Sequence, residues 1–282
     1  MKTIRAIAIL AAVSATGVSA SNSELHTFHC LNGCPAGAPA TNDVIVREIY
    51  TLSSNDLTKM ADWVAYRVTK ESIGQSGDRE WRGDPWLDSG ETLAPSAYDG
   101  ASDTLHIDRG HQAPLASFSG TPSVADTNVL SNITPQSSAL NQGPWAKIEN
   151  RERELAMRFG VPVYVLTGPL FERMMKPLPN GGVYQRVPSG YWKVIALADG
   201  RATAFVFDQA DARSADICGA RVSIRHVELR SRLRLFSNGI APAASLDAEF
   251  GCARAAPADP RPAEIPAERA TTGKKRRTPP VP

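Results

Sequence analysis

The apolar pattern along the chain switches between strand-like and helix-like stretches. Residues 44–52 read as one strand, and residues 63–69 as another with large apolar side chains at alternate positions. Residues 163–167, 191–197 and 202–207 read as buried strands, and residues 127–133 as a short one. A helix is expected from about Asn141 to about Phe159, with Gly160 and Pro162 as its stop signal. Pro144 argues against a much earlier start, because a proline costs a helix nothing only in its first turn. No internal repeat is visible.

The two ends break from this pattern. Lys2 and Arg5 precede an apolar run over residues 6–13, and Val18-Ser19-Ala20 supplies the small residues of a cleavage site. Residues 1–20 are therefore expected to be an export signal, since the run is too short for a bilayer core of about 30 Å. The mature chain is expected to be secreted or periplasmic, with no membrane partner. Residues 21–43 form a Gly-, Pro-, Ser- and Asn-rich arm at the start of a single folded domain over 21–252. After Cys252 the chain turns to Ala, Pro, Arg and Lys, and residues 253–282 are expected to be a disordered basic tail.

Composition refines this division. With 282 residues, 42% hydrophobic and 21% charged, the chain fits a globular core. The net charge of +2 comes from the ends. Of 31 Lys and Arg, two lie in the first 20 residues and seven after Cys252, as do three of 29 Asp and Glu; residues 21–252 keep 22 against 26. A nucleic-acid site on this domain must then be a local cluster of charge, not a general polycationic surface. The four cysteines, Cys30, Cys34, Cys218 and Cys252, suggest two disulfides in an exported chain, with three connectivities open. Pairing near neighbours gives Cys30–Cys34 and Cys218–Cys252. A zinc site with His29 fits the spacing and the oxidising compartment less well.

Two stretches carry chemistry. The first is His106-Ile107-Asp108-Arg109-Gly110-His111-Gln112-Ala113-Pro114. Gly110 permits close backbone approach or an unusual dihedral angle, Arg109 offers a fork for phosphate oxygens, and a neutral His111 can take a proton from water. The second runs from Asn132-Ile133-Thr134-Pro135-Gln136 to Asn141, Trp145, Glu149 and Arg153. The last four recur every fourth residue and trace one slowly winding helix stripe. An Asn oxygen is a hard ligand suited to Mg²⁺, which retains several waters, and Glu149 two turns on is placed to hold those waters. Taken alone, each stretch also reads as a structural histidine or an ordinary charged helix face.

Together the two stretches resemble the DNA/RNA non-specific endonuclease family, whose site is the ββα-metal or His-Me finger arrangement, and most closely its secreted bacterial benzonase-type members. The resemblance spans nearly all of residues 25–252, including the early Cys-x3-Cys, Trp63-Val64-Ala65-Tyr66, Asp84-Pro85 and Thr167-Gly168-Pro169-Leu170. It implies an α+β fold with a central antiparallel sheet flanked by helices. It implies His111 as general base, Asn141 as the direct metal ligand, and Glu149 as the acid orienting the ion's waters. It further implies Arg79 in Asp78-Arg79-Glu80-Trp81 and Arg109 as phosphate stabilisers, and Arg153 as a substrate contact. Asp108, Asn132 and Gln136 are expected to support the site, and Asn128 to orient the His ring through its backbone. The implied reaction is hydrolysis of DNA and RNA, single- or double-stranded, with Mg²⁺ (Mn²⁺ as a substitute), leaving 5′-phosphates. Members often form homodimers; the sequence leaves this open. Pro144 and the basic tail depart from the family pattern. A non-catalytic nucleic-acid-binding protein on the same fold is the rival reading, and the completeness of the site argues against it.

Overall fold

The computed structural model describes residues 24–75, 77–182, 185–238, 242 and 244–252. The expected export signal and basic tail lie outside them. The chain builds strands β1 (Asp43–Val46), β2 (Tyr50–Asn55) and β3 (Met60–Val68), helix α1 (Ala101–Leu105), β4 (Ile107–His111) and helix α2 (Leu115–Phe118). It continues with β5 (Ile133–Ser137), the short helix α3 (Ser138–Leu140), the long helix α4 (Ala146–Phe159) and strands β6 (Val163–Leu170), β7 (Gly190–Leu197) and β8 (Arg201–Asp208). Strand β9 (Arg221–Val222), helix α5 (Ile224–Ser231) and β10 (Ala244–Ser245) complete it.

The main sheet runs β1-β2-β3-β6-β7-β8-β10, with β9 also on β8. Every pairing is antiparallel except β10 on β8. Successive side chains of a strand face opposite ways, and both faces of this sheet are covered. In β3, Val64 and Tyr66 join the core under α4, whereas Trp63 and Ala65 join a second core under α5 and the cysteine arm. Strand β7 does the same with Tyr191 and Ile195 on one side and Trp192 and Val194 on the other. That double coverage explains why β7 is buried along its whole length.

Three sequence expectations change. The stretch 44–52 is a hairpin, not one strand, because Arg47 turns inward to pair with buried Asp84 at 2.6 Å. Residues 124–132 form two 3-10 turns, and the strand begins only at Ile133. The helix starts earlier than Asn141: Ser137 caps it by accepting the Leu140 N–H, and a π turn over Asn141–Trp145 joins α3 to α4. Pro144 is tolerated there because Gly143 leaves helical geometry at φ −110°, ψ −113°. A side chain at Gly143 would strike the Arg213 backbone, whose carbonyl oxygen would lie 2.5 Å from a Cβ. The expected stop holds, with Gly160 left-handed at the C-cap. The disulfides are Cys30–Cys34 and Cys218–Cys252.

A two-stranded ribbon stands apart from the main sheet, β4 against β5, and leads straight into α3 and α4. The sheet holds it from below. Tyr191 donates its hydroxyl to the Pro135 carbonyl at 2.6 Å, and Gln209 bonds both Pro135 O and Ser137 N. A small core of Leu93, Tyr98, Ile107, Leu130 and Ile133 packs around the ribbon. Strand, strand and helix thus form a ββα unit of fixed geometry.

Candidate active site

The ββα unit borders a cleft of about 530 Å³ lined by Arg79, Trp81, Tyr98, Asp108, Arg109, His111, Asn141 and Glu149, among others. The ribbon register sets Asp108 opposite Gln136, and His111 opposite Ile133. Gly110 serves close approach: a Cβ there would lie 2.6 Å from the Gln136 amide oxygen. Its backbone is not left-handed, so of the two roles open to it, close approach is the one it fills.

His111 Nε2 lies 3.0 Å from the Asn128 side-chain oxygen. The contact is made by the side chain of Asn128, not its backbone as expected. A carboxamide oxygen can only accept, so the ring proton sits on Nε2 and Nδ1 keeps its lone pair. Desolvation lowers the His111 pKa to about 4, opposed by the Asn128 bond and assisted by the nearby positive charge of Arg79. The ring is therefore neutral near pH 7. Trp81 lies against it with ring centroids 5.3 Å apart.

Asp108 organises the facing helix. It accepts from Ser138 Oγ at 2.6 Å, Asn141 Nδ2 at 2.9 Å and Gln142 Nε2 at 2.8 Å. Because the Asn141 amide nitrogen is committed to a carboxylate, its orientation is fixed, and its oxygen has no hydrogen bond among the described residues. Glu149, half-buried on α4, has its pKa raised to about 7 by desolvation; Lys193 opposes the rise, Glu152 adds to it, and Arg153 and Trp145 oppose it. A free amide oxygen and a carboxylate on one cleft are hard donors, too few to enclose an ion and suited to one that keeps its waters. The described residues include one three-carboxylate group, Asp43, Asp56 and Glu91, and it lies outside the cleft lining.

The arginines divide. Arg79 is exposed on the cleft. Arg109 also lines it, but its guanidinium donates to the Pro95 carbonyl at 2.9 Å and stacks over Tyr98 and Trp81. Arg153 is not part of the cleft lining; it reaches Ser117 on α2 at 3.3 Å. Asn132 is buried and ties its own turn to Ala113 N, Ala113 O and Thr127 O, which fixes the chain leaving β4. Gln136 is buried against Gly110. Sequence reading passed over Trp81, Tyr98 and the triple role of Asp108. Trp81 sits between Arg79 and Arg82 in the sequence, whereas no local signal marks Tyr98.

A sequence model of the DNA/RNA non-specific endonuclease family matches residues 30–240. The chain is 46% identical over 214 residues to a nuclease of Serratia marcescens, covering 74% of this chain and 80% of that one. It is 31% identical over 226 residues to nuclease C1 of Cunninghamella echinulata, covering 71% and 85%, and 31% identical over 173 residues to human mitochondrial endonuclease G, covering 57% of each. Among solved structures, one of an EndoG/EndoGI complex superposes with a TM-score of 0.61 at 23% identity, covering 73% of this chain and 95% of that one. At that identity the likeness speaks for the fold alone.

Proposed function

This chain belongs to the DNA/RNA non-specific endonuclease family, and from that premise we propose how its cleft hydrolyses phosphodiester bonds. The observation that carries the reading is the convergence of His111, Asn141 and Glu149 on one cleft, with Asp108 fixing the Asn141 amide. The family is metal-dependent, and magnesium is the ion we assign, with Mn²⁺ as a substitute. When bound, the ion supplies positive charge against the developing phosphate charge and the departing 3′ oxygen.

The protein's own groups supply the rest. Nδ1 of His111 takes the proton of an attacking water, and the Nε2 bond to Asn128 holds the ring for that transfer. Asn141, its amide nitrogen fixed by Asp108, would hold the ion through its amide oxygen, and Glu149 would accept hydrogen bonds from water on the same cleft. Arg79, exposed on the cleft, stabilises the five-coordinate phosphate. Arg109 lends its charge from a fixed position, since its guanidinium is already tied to Pro95 and the aromatic rings. Arg153 acts on substrate beyond the cleft itself. Contacts to phosphate and sugar carry no direct base code, which accounts for weak sequence specificity; attack by water needs no 2′-OH, so DNA and RNA, single- or double-stranded, are both substrates, and departure of the 3′ oxygen leaves 5′-phosphates.

Export of the mature chain, as a secreted or periplasmic enzyme, is supported by the two disulfides. The domain limits 21–252, the flanking export signal and tail, and a homodimer remain part of this proposal. The test is incubation of purified protein with plasmid DNA and with RNA, with EDTA and then with added Mg²⁺. Cleavage of both substrates that stops in EDTA and returns with Mg²⁺ supports the reading; full activity in exhaustively chelated buffer refutes the metal assignment.

A further inference from the structure

We propose that the exposed arginine face of α5, on the opposite side of the sheet from α4, is a second nucleic-acid site that grips a phosphate backbone away from the cleft. This rests on nucleic acid being the substrate, as read above. Residues 221–234 carry five arginines, one glutamate and no aspartate. Two of the five are spent within the fold: Arg221 pairs with Asp247 at 2.6 Å, and Arg230 with Glu172 just past β6. Arg225, Arg232 and Arg234 are exposed. Arg225 lies 3.8 Å from Glu228, which already accepts the Leu235 N–H at 3.1 Å. Arg232 and Arg234 have no acidic partner among the described residues. With the exposed Leu229, the three arginines border a groove of about 570 Å³.

The backbone holds these side chains in place. Arg225, Leu229 and Arg232 follow one another at i, i+4 and i+7 on the outer face of α5, while Val227 packs inward on the second core. Arg232 caps α5 in the left-handed region at φ 60°, where glycine or asparagine is the usual occupant. The helix would end more easily without this side chain, so its retention calls for a use. Arg234 is pinned to the cysteine arm by two backbone bonds with Ala36, at 2.9 and 2.8 Å. Guanidinium forks match phosphate oxygens. Because residues 21–252 carry more acids than cations, a polyanion can be held only where cations gather without acids. A second copy of the chain does not fit, because a two-fold contact sets these arginines against one another. A segment seated in the cleft lies on the α4 side, so α5 takes a separate segment of the same long polymer. Holding one segment raises the effective concentration of the rest at the cleft.

The test is the triple variant Arg225→Gln, Arg232→Gly, Arg234→Gln in the full chain. Glycine suits the left-handed position, so the fold is expected to be kept, as a thermal melt checks. Binding to plasmid DNA and to a short duplex that the cleft alone can hold is measured in EDTA over a range of salt. Turnover of both is measured in Mg²⁺. The variant is expected to lose about 10-fold or more in affinity for plasmid, with KM rising to match. The slope of log affinity against log salt should flatten by about 2–3, the loss of three phosphate contacts. Turnover at saturation and all values for the short duplex stay at wild type. An unchanged salt slope and KM on plasmid, or an equal loss on the short duplex, overturns the proposal. So does a variant that keeps its DNA binding but loses binding to phosphatidylglycerol vesicles, which makes the face a membrane contact. Binding in EDTA reads α5 with the cleft idle, and turnover of the short duplex reads the cleft, so failure of one is not mistaken for failure of the other.

Discussion

At the scale of single residues, the cleft sets two ionisable groups apart by environment. Burial lowers His111 to about 4 from an ordinary 6.5, so the base form persists as pH falls until about 4. Burial raises Glu149 to about 7 from 4.5, so its carboxylate is lost first on acidification. The acid limb of the rate profile should therefore follow Glu149, not His111. A bound cation favours the carboxylate, so raising Mg²⁺ is expected to move that limb to lower pH. A limb that stays in place across a wide range of Mg²⁺ would contradict the assignment. In metal-free protein, NMR of the His111 ring should show protonation near pH 4, and a midpoint at the ordinary value would show that the ring is solvated.

At the scale of elements, the ββα unit depends on a local break. Gly143 lets the helix bend past Pro144 and pass the Arg213 backbone at close range, which aims Asn141 at Asp108. Gly143→Ala is expected to cost about 1–3 kcal/mol through overpacking, measured by urea unfolding, and to lower turnover by displacing Asn141. Unchanged stability and rate would show that the π turn is incidental. The same element shows how far the sequence could be read. The periodicity from 141 to 159 gave the helix body and its Gly160 stop, because those are local signals. The start could not be read that way: the Ser137 cap precedes a proline that single-element rules place near a helix N-terminus, and what reconciles them is a tertiary contact with Arg213. Residues 44–52 misled for a related reason, since the turn at Arg47 is held by Asp84, 37 positions away. The site was read from the family resemblance and not from spacing, since each stretch taken alone also reads as a structural histidine or a charged helix face; the fold brings His111, Asn141 and Glu149 onto one cleft.

At the scale of the molecule, a sheet covered on both faces carries the cleft unit, and the disulfides secure the chain around it. Cys218–Cys252 closes a 34-residue separation and returns the end of the described chain to the core under α4. In the chain-entropy description its removal costs about 3–4 kcal/mol, against about 2 kcal/mol for the short Cys30–Cys34 loop. Paired Cys→Ser variants compared by denaturant unfolding test that order, and equal losses would contradict it. Hydrolysis at this cleft turns on His111 as the base. The most direct measurement is single-turnover cleavage of plasmid DNA in Mg²⁺ by wild type and His111→Ala, with DNA binding measured alongside in EDTA. His106→Ala and His226→Ala serve as controls, because those residues lie outside the cleft lining. The expected result is a rate lower by about 10²–10⁴ for His111→Ala, with binding retained and both controls near wild type. A His111→Ala enzyme that cleaves at close to the wild-type rate, or a His106→Ala enzyme equally inactive, would contradict it.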